Sequence, residues 1–241
     1  MALIGKTVSV FREKGALGFA GAFLRKLAYL ADGSVVYFYF TVFKKGRFAF
    51  DNRQYDYFYH RYCTTWKNER AIEVPIVMAE VEKRSGKRIL EVGNVLSHYF
   101  NFPHDVIDKY EKGAGVKNVD VVEFKPPGKY DLIVSISTIE HVGFDETPKD
   151  PEKIVRALEN LKSMLAPGGV LVSTLPLGYN PNMDSLLKSG RLAFDDRFCL
   201  RKAGPCKWVQ AAEDIIGASE YDYAATSANG LFVGVIGKLK Q

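Results

Sequence analysis

The chain has 241 residues, 47% of them hydrophobic and 25% charged, which is the composition of an ordinary globular protein with enough length for a sizeable core. The formal net charge of +5 is too small to indicate a nucleic-acid partner by itself. The three cysteines, an odd number without metal-ligand spacing, argue against a disulfide framework and favour a cytoplasmic location.

Residues 1–68 are predicted to form an aromatic and basic extension to a main domain over residues 69–241. Its helix could pack on the main domain or on a second copy of the chain, giving a homodimer. Alternatively, it could lie on an anionic membrane surface, at the inner face of the cell membrane. The apolar residues that share one face of this helix are Leu17, Ala20, Leu24 and Leu27.

Two further elements are predicted before residue 85. A small hairpin turns at Asp51-Asn52, where apolar and polar residues alternate on both sides. A helix then runs to about Arg84 from a cap at Thr65 or Asn68. Pro75 is expected to kink this helix or to begin a second helical piece.

From residue 87 onward, short apolar runs alternate with helical patterns, which is typical of parallel strands joined by right-handed crossovers. We therefore predict an α/β fold with a doubly wound, mostly parallel sheet of seven strands and helices on both faces. Asn182 is expected to cap a short helix near the end of this pattern. The predicted strands are Ile89–Val92, Val106–Asp108, Val116–Val122, Tyr130–Ser137, Val170–Pro176, Phe198–Arg201 and Gly230–Gly237.

The turn after the first of these strands carries the main functional signal. Glu91 lies near the strand's carboxyl end, and Gly93 allows a sharp turn and close approach of the backbone to a ligand. Asp108 closes the next strand at nearly the spacing, about 20 residues past the glycine turn, that a nucleotide-binding βαβ unit gives its ribose-binding acid. Val95 and Ser97 stand where a full nucleotide-binding fingerprint has glycines.

The order of these segments resembles the class I S-adenosylmethionine-dependent methyltransferases, which have a Rossmann-like fold. The resemblance runs from about Lys87 to Leu239 and rests on five pieces in the family's order. These are Ile89-Leu90-Glu91-Val92-Gly93, Asp108 with Asp120, Tyr130-Asp131-Leu132-Ile133-Val134-Ser135, Ile139-Glu140-His141-Val142, and Leu165-Ala166-Pro167-Gly168-Gly169-Val170-Leu171.

The resemblance implies that S-adenosyl-L-methionine is the cofactor. Glu91 and the Gly93 backbone would lie against its methionine part, with Asn94 beside them. Asp108 would accept hydrogen bonds from the two ribose hydroxyls, a task suited to an ionised carboxylate.

The resemblance also implies contacts to the other half of the cofactor. Asp120 would hold the adenine amino group, with Val121 against the ring, and Ser135 and the start of the next loop would border the sulfonium. Because β-branched Val95 disfavours positive φ, the turn is expected to differ in detail from the glycine-rich form. The departures from glycine at Val95 and Ser97 bear on the affinity for the cofactor more than on the fold.

His141 and Glu140 are the candidate catalytic residues, because they follow the fourth strand at the sheet's carboxyl edge and an acceptor hydroxyl needs a base. A helix-start histidine bonded to the backbone is the structural alternative for His141. Some related O-methyltransferases hold a divalent metal with an acid at the position of Ser137. The serine leaves too few ligands, so no metal site is predicted.

The acceptor is expected to contact elements outside the sheet, in the 57–70 segment and the 178–181 loop. Aromatic and amide side chains suit a sugar or aromatic ring, although packing of the N-terminal layer also accounts for most of the aromatics. The candidate acceptor-binding residues are Tyr57, His60, Trp66, Tyr179 and Asn180.

The predicted function is methylation of a small polar acceptor, such as a hydroxyl of a sugar, glycan or lipid-linked intermediate. One alternative is a catalytically inactive binding protein that kept the fold and lost the cofactor turn. A nicotinamide-dependent oxidoreductase is disfavoured by the missing glycines. Nucleic acid is disfavoured as a partner because no basic stripe interleaves with aromatics in the catalytic half.

Overall fold

The computed structural model of the protein describes residues 35–43, 46–204 and 206–239. The chain forms two compact units, Met1–Lys45 and Gly46–Gln241. The predicted amphipathic helix with Leu17, Ala20, Leu24 and Leu27 lies outside the described residues.

The described part of the first unit is helical and ends in the π-helix Tyr39–Phe43. Its apolar side chains are largely exposed, among them Phe38 and Phe43. Across all the described ranges, no helix combines the length and the hydropathy needed to span a membrane.

The second unit contains three α-helices and twelve strands among its described residues. The helices are α1 (Arg70–Lys83), α2 (Lys153–Ser163) and α3 (Pro181–Lys188). The strands are β1 (Arg47–Phe50), β2 (Arg53–Asp56), β3 (Ile89–Val92), β4 (Asp105–Ile107), β5 (Val116–Lys117), β6 (Tyr130–Ile136), β7 (Leu165–Pro176), β8 (Asp196–Gly204), β9 (Lys207–Ala211), β10 (Tyr221–Asp222), β11 (Ser227–Ala228) and β12 (Gly230–Ile236).

Within the described residues, eight strands form the central sheet, in the order β5-β4-β3-β6-β7-β12-β8-β9. The first five run parallel, and β12, β8 and β9 are joined to them and to each other by antiparallel pairing. The chain leaves β3 in one direction through β4 and β5 and returns to its other side as β6. The strand order therefore reverses between β3 and β6, and ligands of open α/β sheets bind at the carboxyl ends of strands at such a point.

Both faces of the sheet are covered, as predicted. Alternate residues such as Leu90 and Ile133 pack in a core with α2 and α3, while Ile89 and Leu132 pack with α1 and the β1–β2 hairpin. Each such fully buried aliphatic side chain stabilises the fold by about 1.5–3 kcal/mol relative to exposure.

The predicted hairpin is present and turns at Asp51 and Asn52, which both have positive φ. It belongs to the second unit, since the ring of Phe50 lies 4.9 Å from that of Phe198 on β8. The division between compact units thus falls before the hairpin, after Lys45.

Helix α1 passes through Pro75 as one element, without the predicted break. A proline has no N–H, so the carbonyl of Ala71 one turn earlier loses its usual helical partner. The backbone N–H of Phe58 donates to this carbonyl instead, at 2.9 Å. Pro75 thereby leaves the Ala71 carbonyl free to accept, and the hydrogen bond from Phe58 connects the 57–60 segment to α1.

Three local expectations differ from the structure. The sheet has an eighth strand because β9 folds back on β8 as an antiparallel edge. The strand predicted through Val122 ends at Lys117, and Asp120 starts a turn in which its Oδ1 accepts from the Val122 N–H. Asn180, not Asn182, caps α3, because Pro181 takes the first helical position.

Candidate active site

Two cavities open side by side at the carboxyl ends of the parallel strands. The first cavity has a volume of about 270 Å³ and the second about 310 Å³. Ser137 and His141 line both, so the cavities meet at the turn after β6. The first is lined by Val92, Gly93, Asn94, Val95, Ile107, Asp108, Lys109, Tyr110, Glu111, Val119, Asp120, Val121, Ser137, Thr138, His141, Val142 and Glu146. The second is lined by Cys63, Thr64, Asn68, Glu69, Arg70, Ser137, Glu140, His141, Pro176, Tyr179, Tyr221 and Thr226.

Gly93 forms part of the wall of the first cavity and has φ of +87°. A Cβ at this position would lie 2.1 Å from Oγ1 of Thr138, far inside van der Waals contact. The turn therefore requires glycine for two independent reasons: the positive φ, and the lack of room for a Cβ beside Thr138.

Glu91 is fully buried and does not line either cavity. Its Oε1 accepts hydrogen bonds from the backbone N–H groups of Val95 (2.8 Å) and Leu96 (2.6 Å), and its Oε2 lies 2.8 Å from Nε2 of His104. The Glu91 carboxylate thus holds the turn through Oε1 and pairs with His104 through Oε2, whereas the resemblance implies a contact with the methionine part of the cofactor.

These bonds explain how the turn closes without the second and third glycines. Val95 has φ of −103°, which a β-branched residue adopts readily, and the chain tightens at once into the 3₁₀-helix Leu96–His98, which contains Ser97. The Glu91 carboxylate binds the free N–H groups at the start of this short helix.

Asp108 lines the first cavity at the end of β4, where the resemblance places it. Its Oδ1 accepts from the N–H groups of Tyr110 (2.8 Å) and Glu111 (2.7 Å), while Oδ2 accepts a single long bond of 3.3 Å from the Asn94 N–H. Oδ2 therefore retains acceptor capacity for a ligand.

Asn94 lies beside Asp108 in the first cavity and is buried. Its Nδ2 donates to Glu111 at 2.6 Å, whereas its buried Oδ1 has no hydrogen-bond partner among the described residues. A buried acceptor without a partner is unfavourable, and a ligand that donates a hydrogen bond here would satisfy it.

Asp120 also lines the first cavity, but its carboxylate is already engaged. Oδ2 lies 2.6 Å from Nζ of Lys153 and 2.9 Å from Nζ of Lys109, and Glu146 pairs with the same two lysines. Burial opposes ionisation, but these bonds outweigh it and lower the pKa of Asp120 to about 2. The predicted contact with an adenine amino group would have to compete with two ion pairs.

Apolar side chains on both sides of Asp120 in the chain form one wall of the first cavity. Val121 is buried and lines the cavity together with Val119, Ile107 and Val142. The contact of Val121 with an adenine ring remains a prediction.

Ser135 is fully buried within β6, opposite Val92 and Ser173, and does not line either cavity. Ser137 takes the predicted place at the junction, because the strand ends one residue before it. Its φ is +42°, and its Oγ donates to Oε1 of Glu73 at 2.5 Å. Of the predicted pair, the start of the loop therefore lines the cavities and Ser135 lies within the sheet.

His141 ends the 3₁₀-helix Ile139–His141 and is partly exposed at the junction of the cavities. Its Nδ1 lies 2.5 Å from Oδ2 of Asp145, and the Tyr179 hydroxyl donates to the same oxygen at 2.5 Å. The bonds from Tyr179 and His141 outweigh burial and lower the pKa of Asp145. Since an ionised carboxylate only accepts, Nδ1 of the neutral ring carries the proton and Nε2 keeps its lone pair.

Glu140 lines the second cavity and is almost completely buried, with 1% of its surface exposed. Its Oε1 lies 3.6 Å from Nε2 of His141, and its Oε2 has no hydrogen-bond partner among the described residues. Burial raises the pKa of the Glu140 carboxyl well above its usual range.

The first turn of α1 brings further charges to the second cavity. Glu69 and Arg70 line it, and Glu73 lies behind Ser137, accepting from Ser137 and from Oγ1 of Thr174 at 2.7 Å. Arg70 NH1 lies 3.3 Å from Oε2 of Glu73. Burial and the neighbouring Glu73 raise the pKa of Glu69 to about 7.

Sequence reasoning missed the group of Glu69, Arg70 and Glu73. Their spacing was the available signal. Glu69 and Glu73 are at positions i and i+4, which share one face at the start of a helix, and Arg70 lies between them in the sequence. Among the described residues, no group of three or more His, Cys, Asp or Glu side chains is arranged to hold a metal ion.

The candidate acceptor-binding residues differ in their position relative to the cavities. Tyr179 lines the second cavity, whereas Tyr57, His60 and Trp66 line neither. The reason is local packing: the Tyr57 hydroxyl accepts from the Trp208 N–H, His60 stacks on Phe58, and Trp66 is buried.

The same segment reaches the second cavity through residues that were not predicted. Cys63 and Thr64 line it, and both have positive φ, 56° and 42°. Asn180 is buried outside the cavities, where its Oδ1 caps α3 and its Nδ2 donates to the Glu140 carbonyl at 2.8 Å.

Comparison with known proteins identifies one matching family. A family model described as a methyltransferase domain matches residues 55–208. No curated protein has a sequence that matches the chain.

Several solved structures resemble the chain at low identity. The N-methyltransferase NodS from Bradyrhizobium japonicum, in complex with S-adenosyl-L-homocysteine, is 16% identical, with 71% of this chain and 88% of that chain covered and a TM-score of 0.43. The sugar N-methyltransferase KedS8 from Streptoalloteichus is 16% identical over 70% of this chain and 88% of that chain, with a TM-score of 0.36. An S-adenosylmethionine-dependent methyltransferase from Clostridium acetobutylicum is 13% identical over 68% and 89%, with a TM-score of 0.36.

Proposed function

Since the chain belongs to the family of methyltransferase domains, we propose that it is an enzyme that transfers the methyl group of S-adenosyl-L-methionine to a small polar acceptor. The observation that carries this proposal is the pair of cavities that meet at Ser137 and His141. One cavity has the features of a cofactor site, and the other is a polar chamber for a second molecule.

Several features of the first cavity support this assignment. Gly93 brings the backbone to the cavity wall with no side chain of its own, and Asn94 and Asp108 offer unsatisfied or partly satisfied acceptors. Hydroxyl and amino groups of an adenosyl moiety are the donors that such acceptors bind. The apolar wall around Val121 suits the face of its base.

When bound, the cofactor supplies a methyl group on a sulfonium, and the acceptor atom bonds to that carbon as the carbon–sulfur bond breaks and its electron pair stays on sulfur. The protein's task is to align the acceptor, to exclude water and to take up a proton. His141 is the base of this proposal, because Asp145 orients its ring through Nδ1 and leaves Nε2 free to accept. Tyr179 fixes Asp145 from the other side.

Calorimetric titration with S-adenosyl-L-methionine and with S-adenosyl-L-homocysteine tests this proposal. Saturable binding to the wild-type protein is expected, together with a loss of affinity of at least about tenfold, or 1.4 kcal/mol, in Asp108→Ala. Asp150→Asn is the matched control, because that exposed carboxylate pairs with Arg156 outside both cavities. No binding by the wild-type protein would overturn the enzyme proposal and favour a binding protein that kept the fold.

A further inference from the structure

The second cavity contains more carboxyl groups than cations. Arg70 is the one lysine or arginine among its described lining residues, and its NH1 already lies against Glu73 at 3.3 Å and donates to the Ile136 carbonyl. Glu69 and Glu140 have no salt bridge to a lysine or arginine within the described chain. Even with Arg70 counted, the wall that they form therefore has more carboxyl groups than cations.

Glu140 provides a second and independent observation. Its side chain is buried and lines the cavity, yet Oε2 has no hydrogen-bond partner among the described residues. A buried carboxyl oxygen without a donor is unfavourable, so its retention in a cavity wall points to a ligand that supplies the donor.

The position of Glu140 links this binding feature to the reacting atoms. Its Oε1 lies 3.6 Å from Nε2 of His141, and His141 lines both cavities. A group held against Glu140 is thus next to the proposed base and at the opening towards the first cavity.

Resting on the methyl transfer proposed above, we infer that the acceptor is a small amine, bound as its ammonium ion at the wall formed by Glu69 and Glu140. A proton passes from the ammonium nitrogen to Nε2 of His141, and the freed lone pair forms the nitrogen–carbon bond as the carbon–sulfur bond breaks. The electron pair of that bond remains on sulfur, so the products are the N-methylated ammonium ion, the protonated His141 and the neutral thioether.

An ammonium ion fits this wall better than a hydroxyl does. It has three N–H donors and a positive charge, so it can satisfy Glu140 Oε2 and a second carboxylate oxygen together. A hydroxyl has one donor and no charge, so it would satisfy only one of these oxygens and would gain nothing from the acidic character of the wall.

The test is calorimetric binding of amines and their neutral counterparts to the protein saturated with S-adenosyl-L-homocysteine. The probes are glucosamine and ethanolamine, against glucose and ethylene glycol. The proteins are the wild type, Glu140→Gln, Glu69→Gln and the control Glu159→Gln, whose exposed side chain lies against Lys162.

At least one amine is expected to bind the wild type and the control with at least tenfold higher affinity than its neutral counterpart. Glu140→Gln and Glu69→Gln should each reduce that affinity at least tenfold while keeping the affinity for S-adenosyl-L-homocysteine. The inference is overturned if neither amine binds, if the neutral compounds bind as well, or if the glutamine variants bind the amine like the wild type. If S-adenosyl-L-homocysteine still binds the wild type in such a case, the methyltransferase proposal stands. If the wild type does not bind S-adenosyl-L-homocysteine, the methyltransferase proposal itself is overturned.

Discussion

Nδ2 of Asn180 donates a hydrogen bond of 2.8 Å to the backbone carbonyl of Glu140. The opposite end of the same amide caps α3, since Oδ1 accepts from the N–H groups of Asn182 and Met183. One buried side chain therefore joins the start of α3 to the turn that carries Glu140 and His141.

Asn180→Ala is expected to lower the stability of the fold by about 1–3 kcal/mol, because it removes a helix cap and leaves a buried carbonyl without its donor. Asn180→Ser keeps an oxygen suited to the cap without burying a charge and loses the donor to the Glu140 carbonyl, so its effect should be smaller. Urea unfolding of the two variants measures the difference. Equal losses, or no loss in Asn180→Ala, would contradict this dual role.

Gly93→Ala is expected to weaken binding of S-adenosyl-L-homocysteine at least tenfold and to lower Tm. The new Cβ would lie 2.1 Å from Thr138 Oγ1, and the residue would also be held at positive φ. Gly86→Ala is the matched control, since Gly86 has φ of +74° and no atom within 4 Å of the added Cβ. The control should cost only about 1 kcal/mol of stability and leave binding intact. Similar binding of S-adenosyl-L-homocysteine by both variants would show that the close packing of Thr138 against Gly93 does not affect the cofactor site.

The elements of the fold were largely predictable because both faces of the sheet are covered. Strands such as Ile89–Val92 and Tyr130–Ile136 are then buried on both faces and mostly apolar, which makes them visible as short, nearly continuous apolar runs. The edge strand Lys207–Ala211 is only partly buried, so its sequence carries no comparable pattern.

Site residues were predictable only where they follow a strand of the parallel sheet, because the sheet then fixes where they lie. Asp108 and His141 follow parallel strands directly, and both reach the cavities. Glu91 was placed correctly at the end of its strand, but the hydrogen bonds that its carboxylate accepts from the Val95 and Leu96 N–H groups are invisible in a sequence. Glu69 is contributed by a distant helix, and only the tertiary fold brings it beside Glu140.

The stability of the protein should decline as pH rises from about 4.5 to about 7, in part because of Glu69. Burial and Glu73 raise its pKa from 4.5 to about 7, so the folded state holds a proton that the unfolded state has already lost. The contribution is fully present below the unfolded pKa and is lost as pH rises through the folded one.

Glu69→Gln has no proton to lose and should remove this part of the pH dependence. We expect the variant to be more stable than the wild type by about 1–3 kcal/mol at about pH 8, and to gain nothing at about pH 4.5. Urea unfolding at the two pH values measures the difference, with Glu159→Gln as the control. An unchanged pH slope would show that Glu69 is not the group responsible.

Asp145→Asn is expected to reduce methyl transfer at least about a hundredfold with little change in affinity for S-adenosyl-L-homocysteine. The asparagine can present an N–H to Nδ1 of His141 in place of a carboxylate oxygen, which would put the ring proton on Nε2 and block proton uptake there. Tyr179→Phe removes only the second bond to Asp145 and should have a smaller effect. Turnover is measured with the acceptor identified among the amine and alcohol probes, and Asp150→Asn serves as the control. Full activity in Asp145→Asn would remove the oriented histidine from the reaction, since no other described side chain bonds to Nδ1 of His141.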